Sequence, residues 1–198
     1  MAPLSSSPTT VLISEVGPRD GLQSVKATMR TADKLRWTGA LHAAGVREIE
    51  VASFVPAALL PQMADAAEVV RHAVALPGWT VMALVPNLRG AEAALAAGAH
   101  KLTLPVSASE AHSLANVRKT PLAMVEQVRT IAALRQAQAP GVGLEVGIST
   151  AFGCTLQGVV PEDDVVRLAV ACAEAGADEV GLSDTVGYAN PAQVRRLF

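Results

Sequence analysis

The sequence predicts an α/β chain on the plan of the (β/α)8 TIM barrel, with about six of the eight β/α units present. Three observations carry this. Short runs rich in β-branched residues alternate six times with stretches of helical spacing, the signature of parallel α/β architecture. The strand starts recur at a mean step of about 33 residues. Polar residues gather after several strands: Arg19, Asp20 and Gln23, then Glu50 and Ser53, then Asn87, then Ser149, Thr150 and Cys154, then Ser183, Asp184 and Thr185. An open sheet places its ligand at one switch point, whereas a barrel draws its site from the C-terminal ends of many strands.

Met1–Thr10 is polar, with neither a basic stretch nor an apolar core, and reads as a disordered lead-in rather than a signal peptide. Residues 11–198 form the domain. Val11–Val16 is the first strand. Thr31–Ala44 has helical spacing through Leu35, Thr38, Leu41 and His42 and stops at Gly45, a residue typical just past a helix end. Arg47–Ala52 is the second strand. Met63–Ala75 is a helix with Val69, Val70 and Val74 on one side, closed by Pro77 and Gly78. Thr80–Val85 is the third strand, Leu88–Ala97 a helix ended by Gly98, and His100–Leu104 the fourth strand. Ser107–Thr120 reads as a loop. Pro121–Gln138 is a long helix with proline in its first turn, where the missing N–H costs nothing. Gly143–Ile148 is the fifth strand, Pro161–Ala175 a helix stopped by Gly176, Asp178–Leu182 the sixth strand, and Pro191 opens a last helix. The phrases Ala44-Gly45-Val46, Ala97-Gly98-Ala99 and Ala175-Gly176-Ala177 each precede a strand.

Composition narrows the function. The chain has 198 residues, 51% hydrophobic and 17% charged, with a net charge of −2. Disorder is excluded by the apolar fraction, and near-neutrality argues against nucleic acid, which needs a clustered basic face. Alanine supplies much of the apolar content and favours helices. No run approaches the roughly 18 consecutive apolar residues of a membrane span. Two cysteines make no disulfide framework, so a reducing, cytoplasmic setting is expected.

The strongest local signal is Glu15-Val16-Gly17-Pro18-Arg19-Asp20-Gly21-Leu22-Gln23. A strand ends in a Gly-Pro turn and then presents Arg, Asp and Gln in close succession. Asp is a hard oxygen ligand suited to Mg²⁺ or Mn²⁺. Arg beside it can hold a carboxylate or stabilise a developing enolate. A salt-bridged loop on a tight glycine turn is the plainer alternative.

The phrase Glu15–Gln23 resembles the signature of the 3-hydroxy-3-methylglutaryl-CoA lyase family, metal-dependent TIM-barrel enzymes of the lyase and Claisen-condensation superfamily. Six further phrases resemble that family in order. They are Ile49–Val55, Pro61–Asp65, Pro86–Gly90, Ser107–Glu110, Phe152–Cys154 and Leu182–Gly187. Ser183 departs from the glycine the family often has there.

The resemblance implies roles. Asp20 would bind the metal, Mg²⁺ or Mn²⁺. Arg19 would stabilise the enolate and contact substrate, and Gln23 would line the site. Glu50 would support the Arg and metal region, and Asp184 would lie near the reacting hydroxyl with Thr185 beside it. Ser53 and Asn87 complete the candidate substrate contacts. The implied reaction is retro-Claisen cleavage of a 3-hydroxy-3-methyl acyl-CoA to acetyl-CoA and a ketoacid, acetoacetate. The expected partners are a small-molecule acyl-CoA and, at full length, a second copy in a homodimer, with no nucleic acid and no membrane.

Other residues have plainer readings. Glu50 could be a buried carboxylate paired with Arg19, and Asp184 a turn residue. Cys154 is expected to be an inert thiol and Cys172 a core residue. His42 and His72 fall within helices, and His100 opens a strand at its N-terminal end. His112 is the one histidine placed to approach the strand mouth.

The resemblance also implies a His-x-His metal pair on a seventh strand, and a catalytic Cys and a metal-binding Asn near an eighth. Eight units at this spacing need roughly 260 to 300 residues, within the barrel range. The chain is therefore expected to be a C-terminally truncated barrel that is inactive alone and poorly soluble or oligomeric, its edge strands exposing unpaired groups. Two other readings stand beside the lyase: a Claisen-type synthase or aldolase of the same superfamily, and a non-catalytic fragment.

Overall fold

The computed structural model describes residues 11–198, and the lead-in read at residues 1–10 lies outside them. Six strands form one parallel sheet in chain order: β1 (Ser14–Glu15), β2 (Glu48–Ser53), β3 (Thr80–Leu84), β4 (Lys101–Ser107), β5 (Gly143–Ser149) and β6 (Glu179–Leu182). Each strand pairs in parallel with the next. The helices are α1 (Thr31–Ala43), α2 (Ala66–Val74), α3 (Leu88–Ala96), α4 (Glu110–Val117), α5 (Pro121–Gln138), α6 (Glu162–Glu174) and α7 (Pro191–Leu197). The sheet curls as part of a TIM barrel, with these helices on its outside.

The core lies between sheet and helices. Ile49, Val81, Leu102, Leu104, Val106, Leu144, Val146 and Ile148 from the strands meet Val70, Ala91, Ala94, Met124, Val128, Ile131, Val165 and Cys172 from the helices. Each of the larger side chains contributes about 1.5–3 kcal/mol by leaving water. Alanine on the helix faces brings helix and strand backbones close, which explains a core with so few aromatics.

The three repeated glycine phrases share one device. Gly45, Gly98 and Gly176 have φ of 91°, 90° and 105°. In each case the next residue's N–H reaches back past the helix end: Val46 to Leu41 O at 3.2 Å, Ala99 to Ala94 O at 3.1 Å and Ala177 to Cys172 O at 3.2 Å. This is the Schellman closure, which only glycine adopts without strain, and it turns the chain directly into the following strand.

The structure differs from expectation at three places. β1 is two residues long, and Val11, Leu12 and Ile13 are exposed at 83%, 63% and 78%, because nothing among the described residues pairs or packs on them. Ser107–Thr120 is not a loop: β4 runs on to Ser107 and α4 follows. Ser109 caps α4 by accepting from His112 N at 3.2 Å, a serine N-cap whose helix is too short and polar to show a periodic signal. The helix read from Met63 begins as a 3₁₀ turn at Pro61–Met63 and becomes α2 only at Ala66. Among the described residues no helix is long and apolar enough to cross a membrane.

A candidate active site at the strand mouth

The turn after β1 is a π-helical loop, Gly17–Gly21. Arg19 N and Asp20 N both donate to Val16 O, at 3.1 and 2.7 Å. Gly17 N donates to Glu15 Oε1 at 2.6 Å. A Cβ on Gly17 would stand 2.8 Å from that oxygen and 3.3 Å from Trp37, so a side chain there would make the Glu15 carboxylate shift. The loop aims the Arg19 side chain across β2. There Arg19 donates through Nε, at 2.5 Å, and through Nη2 to Glu50 Oε2, and through Nη1 to Asp20 Oδ1 at 2.7 Å. Glu50 is buried and Asp20 is largely exposed. A fixed guanidinium thus joins a buried anion to an open one. The other oxygen of Glu50, Oε1, accepts from the Thr103 hydroxyl.

Asp184 and Thr185 follow β6. Asp184 Oδ1 accepts from Tyr188 N at 2.9 Å and Oδ2 from Ala189 N at 3.2 Å. This is the turn role weighed for that residue, and each carboxylate oxygen keeps lone-pair capacity. Thr185 Oγ1 accepts from Thr150 N at 2.7 Å, and Thr150 Oγ1 accepts from Ser109 N at 3.1 Å. Thr150 has φ 59°, a left-handed conformation rare for a β-branched residue. It ties together the loops after β4, β5 and β6.

These loops surround a cavity of about 560 Å³. Arg19, Asp20, Glu50, Asp184 and Thr185 all line it, with Ser149, Ser183 and Thr103. Three other predicted residues do not. Gln23 is half-buried just past the π-helical loop. Ser53 is fully buried and its hydroxyl has no hydrogen-bond partner among the described residues. Asn87 caps α3, accepting from Gly90 N at 3.0 Å, and lines a separate cavity of about 350 Å³ with Phe54 and Arg89.

At the floor of the large cavity Lys101 faces Glu48 at 3.0 Å, Glu179 at 2.9 Å and Glu145 at 3.4 Å. Burial alone would lower the Lys101 ammonium's pKa, but hydrogen bonds to Glu179 and Glu48 outweigh it and hold the group above the ordinary lysine value. Glu145 is raised, chiefly by burial and then by the charges of Glu179 and Glu48 against the pull of Lys101. Sequence reasoning missed this floor and missed Thr103, which reads simply as a strand former. The period-2 pattern of Lys101, Thr103 and Pro105 beside apolar Leu102, Leu104 and Val106 is the signal that marks an inward polar face.

The remaining candidates have structural partners. His112 Nδ1 lies 2.7 Å from Ser107 Oγ. His42 Nε2 lies 2.8 Å from Pro77 O, edge-on to Trp79. Cys172 is buried in the core, which pushes its thiol up to about 11. Burial also acts to raise Cys154, but hydrogen bonds from Ser109 and from the Gln157 and Leu156 backbone leave it below the ordinary value.

The sequence profile of the HMGL-like family matches residues 10–198. The chain belongs to the HMGL-like family. It is 40% identical over 194 residues to a hydroxymethylglutaryl-CoA lyase of Bacillus subtilis, covering 96% of this chain and 63% of that protein. It is 41% identical over 192 residues to the 3-hydroxy-3-isohexenylglutaryl-CoA/hydroxymethylglutaryl-CoA lyase of Pseudomonas aeruginosa, with the same two coverages, 96% and 63%. The solved hydroxymethylglutaryl-CoA lyase of P. aeruginosa superposes with a TM-score of 0.90 at 38% identity, covering 96% of this chain and 63% of that one. A lyase of Acinetobacter baumannii, solved with coenzyme A and 3-methylmalate, superposes with a TM-score of 0.88 at 33% identity, covering 94% and 60%. The chain thus spans about 60% of the length of the HMGL-like relatives it matches.

Proposed function

We propose that this HMGL-like chain carries the first part of a carbon–carbon lyase site. The reaction is cleavage of 3-hydroxy-3-methylglutaryl-CoA to acetyl-CoA and acetoacetate. The observation that supports this best is the Arg19 guanidinium held on Glu50 and Asp20 at the mouth of a cavity whose far side carries Asp184. Support also comes from relatives named as lyases of this kind and from the A. baumannii relative solved with coenzyme A.

In the reaction a base takes the proton of the substrate's C3 hydroxyl. The C2–C3 bond breaks, its electron pair passes to the thioester carbonyl as an enolate, and the enolate carbon is then protonated. Arg19 is the fixed cation assigned to that developing charge. Its bonds to Glu50 set its orientation before substrate arrives, so little reorganisation is left for the transition state. Asp184, locked by two backbone N–H groups, is the carboxylate assigned to the substrate hydroxyl. Thr185 and Ser183 line the approach.

The resemblance also implies a divalent cation, Mg²⁺ or Mn²⁺, which would acidify the substrate hydroxyl. Asp20 is the residue assigned to hold it. Such cations take about six ligands, and among the described residues no three His, Cys, Asp or Glu side chains converge as a metal site. The residues present do not fit a complete cation site, and no step is routed through one. Leucine breakdown or ketone-body formation in the cytoplasm, in a homodimer, is the setting such a lyase would serve.

Calorimetric titration of the chain with 3-hydroxy-3-methylglutaryl-CoA, with Mg²⁺ or Mn²⁺, tests the reading, followed by an assay of acetyl-CoA release. Binding that Arg19→Met weakens at least tenfold is expected. No binding by the unmodified chain, or binding indifferent to Arg19→Met and Asp20→Ala, sinks it.

A further inference from the structure

We propose that Thr103 is a positioning residue for Arg19, acting through Glu50. The inference rests on the lyase reading for what Arg19 does, and on geometry alone for how Arg19 is held.

Glu48 and Glu50 lie two residues apart on β2 and share its inward face, as Lys101 and Thr103 do on β4. Glu48, Glu50 and Thr103 line the same cavity, and Lys101 is buried beside Glu48. The two pairs form two rungs across β3. In the lower rung Lys101 meets Glu48 at 3.0 Å. In the upper rung the partner on β4 is a hydroxyl, and Thr103 Oγ1 donates to Glu50 Oε1. This difference sorts the two carboxylates. Glu48 has its charge matched by a lysine. Glu50 receives a neutral hydrogen bond on one oxygen and offers the other oxygen to Nε and Nη2 of Arg19.

A buried carboxylate with one free oxygen rotates to satisfy it or draws in water. With Thr103 on Oε1, the rotation of the Glu50 carboxylate is fixed, and so is the plane of the guanidinium bonded to Oε2. Thr103 is itself buried, with 8% of its surface exposed, which limits the access of water to the hydroxyl. β-branching leaves its χ1 few choices, which keeps the hydroxyl aimed. A valine at this site has the same shape and packs equally well, so the packing and the hydrogen bond can be separated by mutation.

The readout is the Arg19 Nε–Hε resonance in ¹⁵N-labelled chain, assigned by its loss in Arg19→Lys. It is expected to exchange slowly in the unmodified chain. Thr103→Val is expected to speed that exchange at least tenfold while the amide signals of β3 and β4 stay in place, and Thr103→Ser is expected to restore it. A further check needs no variant: the Thr103 hydroxyl proton is expected to be visible through slow exchange. Unchanged Arg19 exchange in a folded Thr103→Val chain overturns the inference, as does fast exchange in Thr103→Ser, and a hydroxyl proton lost to fast exchange does so even if the valine variant fails to fold. A chain with protected Arg19 that binds no 3-hydroxy-3-methylglutaryl-CoA supports the positioning and overturns the lyase reading.

Discussion

The Lys101 ammonium stands 3.0 Å from Glu48, which lines the cavity, and makes that buried carboxylate's only ion pair among the described residues. Removing one partner of a buried pair strands the other charge away from water. Lys101→Met is expected to destabilise the chain by about 3 kcal/mol, read as a drop in the urea midpoint. The double variant Lys101→Met, Glu48→Gln is expected to recover part of that loss. A single variant within about 0.5 kcal/mol of the unmodified chain would show that the cluster carries no structural role.

Glu145 gives the same floor a pH signature. Its folded pKa is raised, so its contribution to stability is whole below the ordinary glutamate value of about 4.3 and fades as the pH climbs through the raised value. At pH 7 the ionised Glu145 is therefore a cost. Lys101 has the same sign at the other end of the scale: its contribution is whole below about pH 10.4 and is lost only above it. Glu145→Gln is expected to raise stability at pH 7 by up to about 1 kcal/mol, the scale of a partly exposed charge, and to have little effect at pH 4. Urea curves at the two pH values decide it, and a loss at pH 7 refutes it.

Gly153 has φ 139°, and a Cβ there would stand 2.9 Å from the Tyr188 ring. Gly153→Ala is expected to cost about 1–3 kcal/mol through the strained backbone and the overlap. Because Tyr188 N is held by Asp184, the overlap should also disturb the β6 loop. Tyr188→Ala in the same chain is expected to return the overlap part and leave the backbone part. Equal losses with and without the tyrosine ring would remove the overlap from the account.

The two thiols should differ in reactivity. Cys172 is buried against strand and helix with its thiol pushed up to about 11. Cys154 sits in a loop closed by its own backbone bonds to Gly158, with a thiol held below the ordinary value. An aromatic disulfide reagent at pH 8 is expected to label Cys154 first, by loop opening, and Cys172 only at the rate of global unfolding. One shared rate would contradict this.

Much of the fold was legible because its punctuation is local. The three glycine closures, the proline of α5 and the β-branched runs of β2 through β5 each act within a few residues. Short elements were not legible. α4 is eight residues of mixed polarity, and β1 loses Val11–Ile13 because its apolar side chains find no surface to cover. At the site, Arg19, Asp20, Glu50, Asp184 and Thr185 could be read from their phrases, and they line one cavity. Asn87 and Ser53 share the same strand ends, but position on a strand does not say where a side chain turns. Asn87 answers the unpaired N–H of a helix start, and Ser53 lies sealed beneath the mouth. Thr103 was hidden for the opposite reason, since its residue type is ordinary in any strand and its meaning comes from a partner 53 positions earlier.

The strand order follows the chain order, so each β/α unit leans mainly on the units before and after it. The side chains of the cavity belong to the sheet and its upper loops, while the helices and the glycine closures sit outside and below. A helix could be lengthened by a turn, or a lower connection rebuilt, without moving Arg19 relative to Asp184. The scaffold and its chemistry are open to separate variation, one unit at a time.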